Sequence, residues 1–159
     1  MKQIVTSAQA LDLLNRQREH WSTAGQNYNA LSKVRVKELH FGNFTVKVQF
    51  NPARIVSSAA KVDSKSIQER KCFLCAANRP EEQEGLLFGD EYTVLVNPFP
   101  IFPEHLTIPV NGHEDQRILH RYGDMLDLAQ VLDRFTIFYN GPKCGASDKE
   151  THPYLFIEK

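Results

Sequence analysis

The side chains able to do chemistry sit in three short stretches and at one arginine. Residues 71–78, KCFLCAAN, hold Cys72 and Cys75 at C-x-x-C spacing. Two thiolates that close can chelate zinc or cycle as a redox pair. A redox pair is normally built at a helix start beside a strand–helix–strand pattern, and the flanks here are loop-like, so zinc is preferred. No second C-x-x-C and no H-x-x-x-H follows. Further ligands must therefore come from distant parts of the chain. The plainer alternative is two small residues packing a loop.

In residues 97–110, NPFPIFPEHLTIPV, His105 opens an apolar run and Asn97 closes another. His105 is either a ligand or a structural histidine; Asn97 can reach a ribose hydroxyl or cap a turn. In residues 139–147, YNGPKCGAS, Asn140, Gly141, Gly145, Ala146 and Ser147 are small. Successive amides in such a loop form an anion-binding nest, and Lys143 adds a cation. Cys144 has no neighbouring motif that orients a base for it, which argues against a nucleophile there. Arg54, in NPARIVSSAAKVD, can fork onto a phosphate or stand as a solvated loop charge.

The elements that position these groups read as follows. Residues 7–20 place Ala8, Leu11, Leu14 and Arg18 on one helical stripe, with Ser7 as N-cap. Residues 22–31 read as a loop. Residues 33–52 alternate on either side of Gly42–Asn43, which predicts a β-hairpin. Residues 53–71 read as a long ordered loop with one helical turn, and loops of that length are often functional. Residues 72–91 read as a polar connector. YTVLV and HLTIPV are two strands joined by a proline-rich link. Residues 113–134 carry Ile118, Leu119, Tyr122, Met125, Leu126, Ala129 and Leu132 at helical spacing. FTIFYN is a strand, and PYLFIE a divergent end strand. The order predicts an α+β domain with a mostly antiparallel sheet and two main helices.

Bulk properties narrow the function class. The chain has 159 residues, 42% apolar and 24% charged, and a formal net charge of zero. One domain with a sizeable core is expected. No basic field exists to hold DNA or RNA, whereas a small nucleotide needs only loop amides and one or two cations. The apolar runs are too short for a membrane span, and the N-terminus lacks an apolar signal region. Three cysteines, two of them a close pair, do not make a secreted disulfide framework. A reducing, cytoplasmic location is expected.

Taken in order, NPARxxSSAAKVD, CFLC, VLVNPFPxxPEHLTIP and FYNGPKCGAS resemble the galactose-1-phosphate uridylyltransferase branch of the histidine-triad superfamily. The flavour is that of its diadenosine-polyphosphate phosphorylases (ATP adenylyltransferases) and nucleotide-sugar phosphorylases, which implies a nucleoside polyphosphate or nucleotide sugar as substrate. The resemblance covers roughly residues 50–110 and 135–147. It implies a half-unit of that fold over 1–159, shortened at its C-terminus. It also implies nucleotidyl transfer through a nucleotidyl-histidine, with no organic cofactor and with zinc where the ligands survive. Cys72, Cys75 and His105 match the metal positions. Asn97 matches a ribose contact and Arg54 a phosphate contact, and Asn140, Gly145, Ala146 and Ser147 match the phosphate loop.

After Ser147 the chain departs from the family pattern. The family reads proline and then H-x-H-x-Q; this chain reads DKETHPYLFIEK. One register puts Glu150 at the first histidine, where a carboxylate can ligate zinc, and His152 at the nucleophile. A register shifted by one leaves no histidine in place. Three readings follow: a nucleotidyltransferase or phosphorylase, a degenerate nucleotide-binding module, and a structural zinc domain. Open sheet edges make a homodimer the expected assembly.

Overall fold

The computed structural model describes residues 5–54, 71–114 and 116–141, and the backbone of 154–158. Helix α1 (Ser7–His20) and helix α2 (Ser22–Ala30) form an N-terminal pair. Strands β1 (Arg35–Phe41) and β2 (Phe44–Phe50) make the expected hairpin. Strands β3 (Gly85–Phe88), β4 (Tyr92–Val96), β5 (His105–Pro109), β6 (Thr136–Tyr139) and β7 (Tyr154–Glu158) form one sheet, with α3 (Tyr122–Val131) before β6. The sheet order is β3-β4-β5-β7-β6, and every pairing is antiparallel. The fold is α+β with antiparallel sheets, as the sequence predicts, but with three α-helices among the described residues rather than two.

Several boundaries differ, each for a local reason. The α1 cap is Thr6, not Ser7: Thr6 and Gln9 form a reciprocal capping box. Ser7 instead donates its hydroxyl to Asp133, 2.8 Å away, which ties α1 to the end of α3. Residues 22–30 are helix, not loop. Their sequence is weakly helical, but Ala24 and Tyr28, one turn apart, are both buried against the core. A Cβ on Gly25 would lie 2.5 Å from the Arg18 carbonyl oxygen, so glycine allows α2 to fold back this closely on α1. Strand β3 falls inside the expected polar connector. It is too short for periodicity to reveal, and it is fixed by its ladder with β4.

Helix α3 is half the expected length. His120 adopts a left-handed backbone (φ 66°), and Arg121 is ion-paired with Glu91 and Glu114 and stacked over Tyr92. Residues before Tyr122 are thus pinned to β4 as irregular chain. Leu119, Tyr122 and Leu126 are exposed; the buried stripe is Leu128 and Leu132, with Ile118 and Met125 partly covered.

The hairpin turn follows its chemistry. Gly42 has φ 55° and Asn43 does not take positive φ, the pattern of a type II′ turn with glycine first.

The sheet has two different faces. Tyr92, Val94, Val96, Leu106 and Ile108 meet Leu13, Leu14, Ala24 and Tyr28 of the helices in the main core. Leu95 faces the other way and packs with Cys72 and Leu74. Gln17, fully buried, clamps the approach to β3: its amide donates to the Glu82 carbonyl (2.8 Å) and accepts from the Glu84 N–H (3.1 Å).

Candidate functional site

The C-x-x-C stretch is a tight turn closed by its own backbone. The Cys75 N–H donates to the Cys72 carbonyl (3.3 Å), and the Asn78 side chain donates to the same oxygen (2.9 Å). The Arg79 guanidinium donates to the Leu74 carbonyl (2.9 Å), which holds a cation beside the two sulfurs. Cys72 is buried, Cys75 half-buried, and neither is in a disulfide.

The third member of this group is His113. Its Nδ1 lies 3.1 Å from Cys75 Sγ, and the donor atoms of Cys72, Cys75 and His113 all fall within 4.8 Å of one another. Burial, followed by the hydrogen bond and charge of Cys72, raises the Cys75 thiol above its ordinary pKa, and Arg79 opposes this. Two sulfurs and one imidazole at that spacing are donors that suit a metal ion such as tetrahedral zinc. The sequence predicts His105 as the histidine here; among the described residues, His113 is the one that lies beside the two sulfurs.

His105 stands elsewhere because of strand register. It pairs with Glu158 at one end of β5, whereas His113 follows Val110 beyond the other end. His105 is buried; its Nδ1 accepts from the Ile101 N–H (3.2 Å), and its ring meets Phe102 edge-on at 5.6 Å. The Tyr28 hydroxyl donates to its carbonyl (2.8 Å). Burial, with Arg54 nearby adding repulsion, lowers the His105 pKa to about 4, so the ring is neutral at pH 7.

Arg54 is half-buried at the same end of the sheet. Its Nε is buried with no hydrogen-bond partner among the described residues, and burial lowers its pKa. Asn97 also lies there. Its Oδ1 accepts from the Phe99 N–H (2.9 Å) and its Nδ2 donates to Thr107 (3.0 Å), so it caps the turn. Each of those groups keeps one further hydrogen-bonding position.

Asn140 and Gly141 leave β6 at the opposite end. Tyr139 pairs with Leu155 and Pro109 with Tyr154, so β7 enters between β5 and β6 at the end from which His113 departs. Ile137 and Tyr139 pack on the helical core, so alternation assigns Phe138 and Asn140 to the face of Thr107 and Leu95. Buried Gln116 donates to the Asn140 carbonyl at 2.7 Å, and the Tyr139 hydroxyl donates to the Gln116 carbonyl. Lys143, Cys144, Gly145, Ala146, Ser147, Glu150 and His152 lie outside the described residues.

Sequence reasoning missed His113, Gln116 and Arg79. The only signal for His113 was its place just past a strand end, and it was absorbed into the expected helix over 113–134.

Comparison with known proteins adds the following. Residues 13–154 match the family model described as a domain of unknown function (DUF4922). Diadenosine 5',5'''-P1,P4-tetraphosphate phosphorylase 2 of Saccharomyces cerevisiae is 31% identical over 60% of this chain and 35% of its own length. Yeast Ap4A phosphorylase Apa2 in complex with Ap4A superposes with a TM-score of 0.55 at 20% identity, over 99% of this chain and 52% of that one. Its complex with AMP gives a TM-score of 0.52 at 19% identity, over 98% and 50%. The chain thus shares the fold of these phosphorylases and spans about half the length of the solved ones.

Proposed function

We propose that this chain, which belongs to the DUF4922 family, binds an extended nucleoside polyphosphate or nucleotide sugar and transfers its nucleotidyl group through a histidine. The observation that carries this is the placement of anion-suited groups along one sheet. Arg54, with its buried unpartnered Nε, and Asn97 stand at the His105 end, and the Asn140–Gly141 loop leaves from the Pro109 end. Four residue steps along β5, from His105 to Pro109, separate the ends, about 14 Å at strand rise. A single phosphate cannot bridge that distance; a nucleoside polyphosphate can. The yeast phosphorylases that share the fold hold AMP and Ap4A.

In this reading an imidazole nitrogen of His152 attacks the α-phosphorus. A P–N bond forms, the bond from that phosphorus to the bridging oxygen breaks, and the remaining phosphate chain or sugar phosphate leaves. Inorganic phosphate then attacks the same phosphorus, the P–N bond breaks, and His152 is regenerated. The amides of 145–147 and the Lys143 ammonium hold the charged phosphoryl oxygens. Gln116 fixes the first residue of that loop through the Asn140 carbonyl. Cys72, Cys75 and His113 would hold zinc with Glu150 as fourth ligand, and the ion would serve as a cross-link between the 72–75 turn and the chain after β5. A C-x-x-C pair kept as thiols for metal binding suits a reducing, cytoplasmic setting.

Phosphate-dependent breakdown of diadenosine tetraphosphate or a nucleotide sugar tests the proposal. Release of a nucleoside diphosphate that requires added phosphate and disappears in His152→Ala supports it. Tight nucleotide binding with no turnover would favour a second reading, a binding module. The motivation for that reading is the missing proline after Ser147 and the departure from H-x-H-x-Q.

A further inference from the structure

We infer that the β1–β2 hairpin is a self-association arm whose apolar face packs on the same face of a second copy of this chain. The ribbon belongs to a separate two-stranded sheet and pairs with no strand of the main sheet. An isolated two-stranded hairpin is marginal in water unless something covers one face. Its register sorts the side chains sharply. Arg35, Lys37, Leu39 and Phe41 on β1 stand opposite Phe50, Val48, Val46 and Phe44 on β2, all on one face. The other face carries Glu38 ion-paired with Lys47 at 3.1 Å, His40 bonded to Thr45 at 3.0 Å, and Gln49, with Val36 its one apolar residue. Such alternation marks the apolar face for burial, and it is the polar face that meets the main domain, through the Gln49 amide donating to the Ile101 carbonyl at 3.2 Å.

The apolar face is exposed. Phe41, Phe44, Val46, Val48 and Phe50 are 40–59% accessible. Together they offer on the order of 500 Å² per chain, judged from the size of such side chains. Two copies face to face reach roughly 1,000 Å², the least that a biological interface buries and the range of weak, reversible association.

Charge selects a second copy and its orientation. The base of the face carries Arg35 and Lys37, and the tip carries Phe41 stacked on Phe44 at 5.3 Å. Tip against tip would set each basic pair against its own copy. Base against tip places the cations of each chain over the stacked rings of the other, as Arg35 already lies 5.2 Å from the Phe50 ring. That arrangement is two-fold and closed, so it yields a dimer and not a filament. It does not depend on the proposed transferase chemistry.

Sedimentation velocity on the full chain across a concentration series tests the inference. The expected result is a reversible dimer. Val46→Glu and, independently, Val48→Lys should raise its dissociation constant more than tenfold while the circular dichroism melt of the chain persists. Thr45→Glu, on the polar face, should leave it unchanged. A wild-type chain that stays monomeric at high micromolar concentration would overturn the inference, including the case in which residues of the same chain cover the ribbon. A dimer that survives both apolar-face substitutions would overturn it equally.

Discussion

Cys75 Sγ and His113 Nδ1 lie 3.1 Å apart, although 38 residues separate them in the chain. One comes from a turn packed on Leu95, the other from the chain just past β5. Their meeting, with Cys72 beside them, is what turns a lone C-x-x-C into a candidate metal site. The first prediction follows directly. Purified protein should carry one zinc per chain by elemental analysis, and Cys72→Ser or His113→Ala should lose it. His105→Asn should keep it. Retention of zinc in His113→Ala and its loss in His105→Asn would reverse the assignment.

Arg54 holds a buried Nε with no hydrogen-bond partner among the described residues. Removing the guanidinium should therefore cost little stability. Arg54→Met should weaken nucleotide binding roughly 10- to 100-fold, the worth of one charge-assisted hydrogen bond. Titration calorimetry with a nucleoside polyphosphate checks this. Unchanged affinity would return Arg54 to a plain loop charge.

Burial, aided by Arg54, holds the His105 pKa near 4, below the ordinary value of 6.5. The unfolded chain therefore binds a proton at His105 that the folded chain refuses between those values. The stabilising effect is fully present above pH 6.5 and is lost as pH falls from 6.5 towards 4. The loss is on the order of 3 kcal/mol. Denaturant melts across pH 4–7 should show this slope, and His105→Asn, which keeps an acceptor for the Ile101 N–H, should flatten it.

Gln17 is buried and satisfies both Glu82 and Glu84. Gln17→Leu removes the partner of the Glu82 carbonyl and of the Glu84 N–H, at a cost of about 1–3 kcal/mol. Urea unfolding measures it. A neutral result would mean that water reaches the approach to β3.

The parts legible in the sequence were those with strong local signals. The hairpin announced itself through alternation around Gly42–Asn43. Strands β4 and β5 show as apolar runs bounded by prolines, and α1 shows as a helix, but its buried face is Ser7, Ala10, Leu13, Leu14 and Gln17 rather than the expected stripe of Ala8, Leu11, Leu14 and Arg18. What was hidden depends on tertiary contact. Helix α2 has weak intrinsic preference and is held by Ala24 and Tyr28 in the core. Strand β3 has four residues and takes its identity from the ladder with β4. The apolar spacing over 113–134 was real, yet Arg121 pins the first third of it as irregular chain. The cysteine pair was visible because its members are three residues apart. Its histidine was not, because only the register of β5 decides that His113 reaches the sulfurs and His105 does not. The insertion of β7 between β5 and β6 likewise has no local signature.

Transfer of a nucleotidyl group through His152, as proposed, passes through a covalent adduct of the chain. Intact-mass spectrometry after incubation with diadenosine tetraphosphate, ATP and nucleotide sugars, beside His152→Ala, tests it most directly. The expected result is an acid-labile adduct with the mass of one nucleotidyl group, absent from the variant and discharged by phosphate. A chain whose melting temperature rises with nucleotide but whose mass never changes would contradict it.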